Sequence, residues 1–184
     1  MSVHLMVGIF LIGGLGLATL LLWMVRSGVA VSVLRVEDLE GKMEEVDLIA
    51  FRNLIDRGET RWLRETLAPE TYRKIQRLRI RAAIAYVESV YHNAGLTIRL
   101  AQQLISNPDE RVKEQARQIQ ELSIRTRLYA IESLLKLAIS LVLPGAAFSI
   151  QELAVSYVEV AERIESLCSL TAPLYTSRIA ASFR

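Results

Sequence analysis

The chain has 184 residues and a formal net charge of +2, so its overall charge favours neither nucleic acid nor any other strongly charged partner. Hydrophobic residues make up 52% of it, which is high for a wholly soluble protein. Glycine and proline are scarce, and this scarcity favours helices over a fold of strands and turns. The single cysteine, Cys168, excludes an internal disulfide, and we expect it to be buried and inert.

The segment Leu5–Val25 is the strongest membrane signal in the sequence. It carries no charge, and as a helix it is long enough to cross the ~30 Å hydrocarbon core of a bilayer, with Trp23 at the interface. Arg26 and Arg35 follow it, so the positive-inside tendency predicts an outer N-terminus and a cytoplasmic remainder. The alternative is a cleaved signal peptide with its cleavage site at Gly28–Ala30, although no lysine or arginine precedes the apolar run.

Small residues in this segment predict a helix-packing face inside the membrane. Gly14 and Ala18 are four positions apart, a spacing that lets a second helix approach closely, so other membrane-protein subunits are the expected partners. An acidic stretch follows, with six carboxylates against Lys42 alone between positions 37 and 47. We therefore expect a transmembrane anchor at 1–28, an acidic tether at 29–47 and a cytoplasmic helical bundle at 48–184; a short strand at 29–34 is the alternative within the tether.

The bundle is expected to hold two short and three long helices. One short helix should end at Gly58 and the second should cover about 59–67. Pro69 suits the first turn of a helix, and the long helices are predicted at about 69–106, 109–142 and 149–182. The expected fold class is all-α: an N-terminal transmembrane helix followed by an antiparallel helical bundle of three long helices plus two short ones.

Apolar side chains in the long helices recur at alternating spacings of three and four. This 3.5-residue repeat is typical of coiled coils and of other helices packed along a seam. The expected seam positions are Ile80, Ile84, Val87, Tyr91, Ala94, Ile98, Ala101 and Ile105 in the first helix; Ile124, Leu128, Ile131, Leu135, Ala138 and Val142 in the second; and Ala154, Tyr157, Ala161, Ile164, Cys168, Thr171 and Tyr175 in the third.

Alternating helix directions should place the basic start of the first long helix beside the apolar turn at 134–150. Arginines around an apolar tip suit an anionic bilayer surface or a partner's groove. The predicted docking residues are Arg73, Lys74, Arg77, Arg81, Leu143 and Phe148. In the alternative interpretation, the turn packs beneath the helix that carries Trp62, and the arginines pair with the acidic tether.

The sequence contains no catalytic, metal-binding or nucleotide-binding motif. We therefore expect no enzyme activity, cofactor, metal, nucleic acid or small-molecule substrate. The predicted function is a non-catalytic single-pass protein of the cell membrane, a structural or assembly subunit of a larger membrane complex. The alternatives are a membrane-anchored signalling or regulatory bundle and a peripheral lipid-docking adaptor.

Overall fold

The computed structural model describes residue 39 and residues 41–142 and 150–171, and all of these belong to one compact unit. The predicted anchor at 1–28, with Gly14 and Ala18, and most of the tether lie outside the described residues. So does the tip of the apolar turn at 143–149. No helix in the described ranges is long and apolar enough to cross a membrane.

Five helices pack together, and no strand occurs among the described residues. The all-helical class and the order of two short helices before three longer ones are confirmed. The helices are α1 (Leu48–Ile55), α2 (Arg57–Thr66), α3 (Pro69–Leu104), α4 (Glu110–Val142) and α5 (Gln151–Thr171).

Aspartate side chains cap the starts of three of the described helices. The Asp47 carboxylate accepts a hydrogen bond from the backbone N–H of Ala50 at 2.8 Å, and Asp109 accepts one from that of Arg111 at 2.9 Å. The predicted end of the first short helix at Gly58 is wrong. Asp56 closes α1 and caps α2 at once, because its carboxylate accepts from the N–H of Glu59, and Gly58 lies inside α2.

The core forms where α4 packs between α3 and α5. The α3–α4 contact is the most extensive, whereas α3 and α5 touch only slightly. Helix α1 and the residues before it fill that gap, with Leu39, Val46 and Phe51 completely buried. Consecutive long helices run in opposite directions: Thr97 of α3 pairs with Ser123 of α4, and nearer the start of α3 its residues meet the end of α4.

Half of the seam positions predicted for α3 are confirmed. Ile80, Val87, Ala94 and Ala101 are buried as expected. The alternate positions are shifted by one residue, because Ala83, Val90 and Thr97 are buried where Ile84, Tyr91 and Ile98 were expected and are only half-buried. Ala83, Val90 and Thr97 have smaller side chains than the three residues that were predicted to be buried.

The predicted seam of α4 is wrong. Ile124 is 44% exposed and Leu128 is 60% exposed, while Ile131, Leu135 and Ala138 are half-buried. The buried stripe has the same 3.5-residue repeat but lies on another face of the helix and contains many small or hydroxylated side chains. Its members are Val112, Ala116, Ile119, Ser123, Thr126, Ala130, Ser133, Leu134 and Leu137.

Hydroxyl pairs explain why this more polar stripe is the buried one. The Thr97 hydroxyl donates to the Ser123 hydroxyl at 2.8 Å, and the hydroxyls of Thr126 and Ser156 are 2.7 Å apart. Each pair joins α4 to a neighbouring helix, and both are buried. Because each hydroxyl finds a partner, its burial costs little, and the small side chains allow close packing.

The seam of α5 follows the prediction more closely. Ala154, Tyr157, Ile164 and Cys168 are buried, and Ala161 is half-buried. The Tyr157 hydroxyl accepts a hydrogen bond from the Asn93 amide at 2.8 Å, and the same amide group bonds both backbone groups of Glu44. Asn93 therefore ties α3, α5 and the segment before α1 together at the middle of the bundle.

Candidate functional site

A cleft of 320 Å³ opens where the end of α1, α2, the start of α3, the end of α4 and the residue before α5 meet. Its floor is apolar and contains Ile80, Ala83, Leu137 and Ile150, all of which are buried. The end of α4 and the start of α3 are thus brought to the same end of the bundle, as the alternation of helix directions predicts.

Five arginines line the cleft, and no carboxylate does so among the described residues. Their side chains are exposed, and within the described ranges none of them forms an ion pair. We call this set the cleft arginines: Arg57, Arg61, Arg64, Arg73 and Arg77.

Helical spacing brings the cleft arginines together. Arg57, Arg61 and Arg64 are separated by four and three positions on α2, and Arg73 and Arg77 by four on α3, so each helix directs its set to one side. Two of the cleft arginines are restrained by contacts with neighbouring groups. Arg64 lies 5.6 Å from the centre of the Tyr72 ring, and the Arg73 Nε donates to the Pro69 carbonyl at 3.2 Å.

Arg79 belongs to the same basic stretch but serves the fold. It forms an ion pair with Glu59 at 2.8 Å and donates to the carbonyls of Asn53 and Leu54 at the end of α1. Its side chain is only 11% exposed. Arg79 therefore fastens α1 and α2 to α3, whereas the neighbouring Arg77 lines the cleft and has no carboxylate partner among the described residues.

A basic groove continues from the cleft along α3. It is lined by Arg73 and Arg77 together with Lys74, Arg81, Leu78 and a single carboxylate, Glu70. Leu78 is exposed there. Trp62 on α2 is 59% exposed but lines neither the cleft nor the groove. Exposed apolar side chains among cations are typical of surfaces that rest in a membrane interface.

The predicted docking residues divide into three groups. Arg73 and Arg77 line the cleft, and Lys74 and Arg81 lie in the adjoining groove. Leu143 and Phe148 are outside the described residues.

Sequence reasoning missed the contribution of α2. Arg57, Arg61 and Arg64 were not among the predicted docking residues, although their spacing on one helical face was the available signal. The buried floor could not be predicted from the sequence, because it combines residues of α3 and α4 with the residue before α5.

The alternative in which the acidic tether neutralises the arginines receives no support from its described part. Glu44 directs its backbone to Asn93, and Asp47 caps α1. Neither these carboxylates nor that of Glu45 pairs with a cleft arginine.

The arrangement is suited to holding an anion beside an apolar group. Guanidinium groups stay charged at all physiological pH values and bind phosphate with paired hydrogen bonds. In the described ranges, no group of three or more His, Cys, Asp or Glu side chains is placed to hold a metal ion. Comparison of the chain with protein-family models, with curated proteins and with solved structures gave no match.

Proposed function

We propose that this chain is a non-catalytic, membrane-associated accessory subunit whose bundle docks on an anionic membrane surface through the cleft end. The observation that carries the proposal is the set of five cleft arginines around an apolar floor, with no carboxylate among the described lining residues. Anionic headgroups would supply the negatively charged partner that these arginines do not have among the described residues.

The size of the basic surface supports membrane docking. The five cleft arginines are joined by Lys74 and Arg81 in the groove, against the single carboxylate of Glu70. A basic residue near an anionic leaflet contributes about 1 kcal/mol of attraction, so several together hold the domain at the surface. Burial of Trp62 and Leu78 in the headgroup region adds an apolar contribution.

The sequence-based anchor fits the same function. An apolar segment such as Leu5–Val25, followed by a tether, would keep the bundle near one bilayer and raise its effective concentration at the surface. Surface docking by the bundle then needs only modest intrinsic affinity.

Trp62 provides a direct test in the full chain. The sequence has two tryptophans, so Trp23→Phe leaves Trp62 as the only one. This variant is reconstituted into vesicles of phosphatidylcholine, with or without phosphatidylglycerol, that carry bromine near the headgroups. We expect stronger Trp62 quenching in the anionic vesicles and its loss at high salt, because salt screens exposed charges. Equal quenching in both vesicles would contradict the proposal.

A charge-matched pair of triple variants controls for net charge. Arg61→Gln, Arg73→Gln and Arg77→Gln together should abolish the difference between the two vesicles. Arg111→Gln, Arg117→Gln and Arg163→Gln remove the same charge from exposed sites outside the cleft and should preserve it. If both triples reduce the quenching equally, the cleft has no special part in docking.

A second surface favours the assembly role. Ile124, Leu128 and Ile139 are exposed along α4, and the half-buried Ile131 and Leu135 lie between them, so that successive members are three or four residues apart. The stripe from 124 to 139 is about 22 Å long at 1.5 Å per residue. We propose that an amphipathic helix of a partner subunit, about four turns long, packs along this stripe, because a seam repeat matches the repeat of a second helix.

Native sizing after gentle detergent extraction tests this second surface. Leu128→Glu should shift the extracted protein from a larger assembly to a smaller one. Leu170→Glu, at an exposed leucine of α5 away from the stripe, is the matched control and should leave the assembly unchanged. An assembly that tolerates Leu128→Glu, or a wild-type chain that is monomeric at native abundance, would argue against the partner helix.

A further inference from the structure

We infer that the cleft binds one molecule of a phosphate-headed lipid, with its acyl chain over the apolar floor and its headgroup among the cleft arginines. This inference rests on the proposed membrane docking and deepens it. Docking on a membrane surface needs only a basic face, whereas a cleft with an apolar floor offers a place for one acyl chain.

The floor argues for an acyl chain as part of the ligand. The floor residues Ile80, Ala83, Leu137 and Ile150 leave only 2–8% of their surface open. The half-buried Leu54, Ile55 and Leu141 also line the cleft and leave more methyl and methylene groups open to it. A free phosphate would satisfy the arginines but leave this apolar surface in contact with water. An acyl chain removes that surface from water, which is favourable in proportion to the area covered.

The arrangement of the cleft arginines favours a phosphate as the headgroup. Arginines approach from two directions: Arg57, Arg61 and Arg64 from α2, and Arg73 and Arg77 from α3. Phosphate has several oxygens that accept paired hydrogen bonds from guanidinium groups on different sides, which a zwitterionic choline headgroup with its own cation would oppose.

The size of the cleft argues for one chain rather than a bilayer patch. Its 320 Å³ lie at the lower end of the roughly 300–1,000 Å³ found for small-ligand pockets. The half-buried Thr60 of α2 and Ser140 of α4 both line it, so a larger side chain at either position would reduce the space without changing the charge.

Native mass spectrometry of the full chain in a nonionic detergent tests the inference. The probes are palmitoyl lysophosphatidic acid, palmitoyl lysophosphatidylcholine and inorganic phosphate. We expect a one-to-one adduct with lysophosphatidic acid and at least about tenfold less of either other adduct, which is the loss expected when one charge-assisted contact is removed. Equal retention of the two lipids, or retention of inorganic phosphate alone, would overturn the inference.

Ser140→Phe separates chain binding from surface docking. Filling the cleft should abolish the lysophosphatidic acid adduct while the salt-sensitive Trp62 quenching in anionic vesicles persists. Thr60→Phe, which fills the cleft from the opposite side, replaces it if Ser140→Phe does not fold by circular dichroism. If the folded variants keep the full lysophosphatidic acid adduct, the acyl chain does not occupy the cleft. The proposed membrane docking would then stand without a lipid bound in the cleft. If the quenching is absent in the wild type, docking itself fails.

Discussion

The middle of the bundle and its basic end handle polar groups in opposite ways. In the middle, the Asn93 amide bonds Tyr157 and both backbone groups of Glu44, and hydroxyls pair across the helix interfaces. At the basic end, the cleft arginines are exposed and form no ion pair within the described ranges. The polar groups that join the helices in the middle are paired and buried, whereas the cleft arginines are exposed and have no carboxylate partner among the described residues. The proposal of an external anion rests on this difference.

Arg79 sharpens this contrast because it lies two residues from Arg77 in the sequence. Its charge is held by Glu59 and by two carbonyls of α1. Arg79 thus lies at the basic end but has partners within the fold, as the polar groups in the middle of the bundle do. The comparison predicts that stability is lost on changing the paired groups and that lipid binding is lost on changing the cleft arginines.

The largest effect is expected from an unpaired charge in the middle of α4. Ala130→Asp places a carboxylate at a position with no exposed surface, and we expect a loss of about 3–5 kcal/mol in the free energy of unfolding. Leu128→Asp, at a side chain that is 60% exposed, should cost about 0.5 kcal/mol through helix propensity. Chemical denaturation followed by circular dichroism measures both. If Leu128→Asp costs more stability than Ala130→Asp, the buried face of α4 is the one predicted from the sequence.

Helix α4 shows why the sequence predicted the helices but not their packing. A 3.5-residue repeat indicates a helix whichever face is buried, so the existence of the helices was predictable. The choice of face was not, because Ile124 and Leu128 are more apolar than the buried Ser123 and Thr126. Those hydroxyls are buried because Thr97 and Ser156 lie opposite them, and such partners come from distant parts of the chain.

The cleft was predictable to a similar extent. A cluster of arginines at the start of α3 and its position beside the end of α4 follow from composition and from alternating helix directions. The division between Arg77, which lines the cleft, and Arg79, which caps α1, depends on the fold of α1 and α2 against α3. Residue type alone does not distinguish the two.

The next largest effect is expected at Asn93. Asn93→Leu keeps the number and branching of the side-chain heavy atoms but removes the hydrogen bonds to the backbone groups of Glu44 and to the Tyr157 hydroxyl, so we expect a loss of about 2–4 kcal/mol. Tyr157→Phe, which removes one acceptor, should cost about 1 kcal/mol. Urea denaturation measures both changes. An Asn93→Leu chain as stable as the wild type would show that the middle does not depend on its polar pairs.

A smaller effect should separate the two neighbouring arginines. Arg79→Gln removes the ion pair with Glu59 and the bonds to the end of α1, and we expect it to cost about 1–3 kcal/mol. Arg77→Gln should change stability by less than about 0.5 kcal/mol. Thermal unfolding of the two single variants provides the comparison. Equal losses would mean that the cleft arginines also hold the fold together.

The smallest effect concerns Glu88 of α3. Burial, and then the nearby Glu44, raise the pKa of this carboxyl above its ordinary value of 4.5. The folded state therefore binds the proton more tightly than the unfolded state, and protonation stabilises it as pH falls through the raised pKa. Glu88→Gln should be slightly more stable than the wild type at neutral pH, by less than about 0.5 kcal/mol, and should lose this advantage below pH 4.5. Melting curves at several pH values measure the difference. A constant difference would contradict the raised pKa.

The most direct test of the central claim is the unfolding midpoint of the full chain with and without lysophosphatidic acid. The wild type is compared with the chain carrying Arg61→Gln, Arg73→Gln and Arg77→Gln, both in nonionic detergent. Without lipid, the triple variant should unfold at or above the wild-type midpoint, because it loses repulsion between like charges and loses no ion pair to a described residue. At a lipid concentration of about 100 times the dissociation constant, the wild type should gain about 2.7 kcal/mol and the variant nothing. A variant that is destabilised without lipid, or a wild type that lipid does not stabilise, would contradict the assignment of the cleft arginines to an external anion.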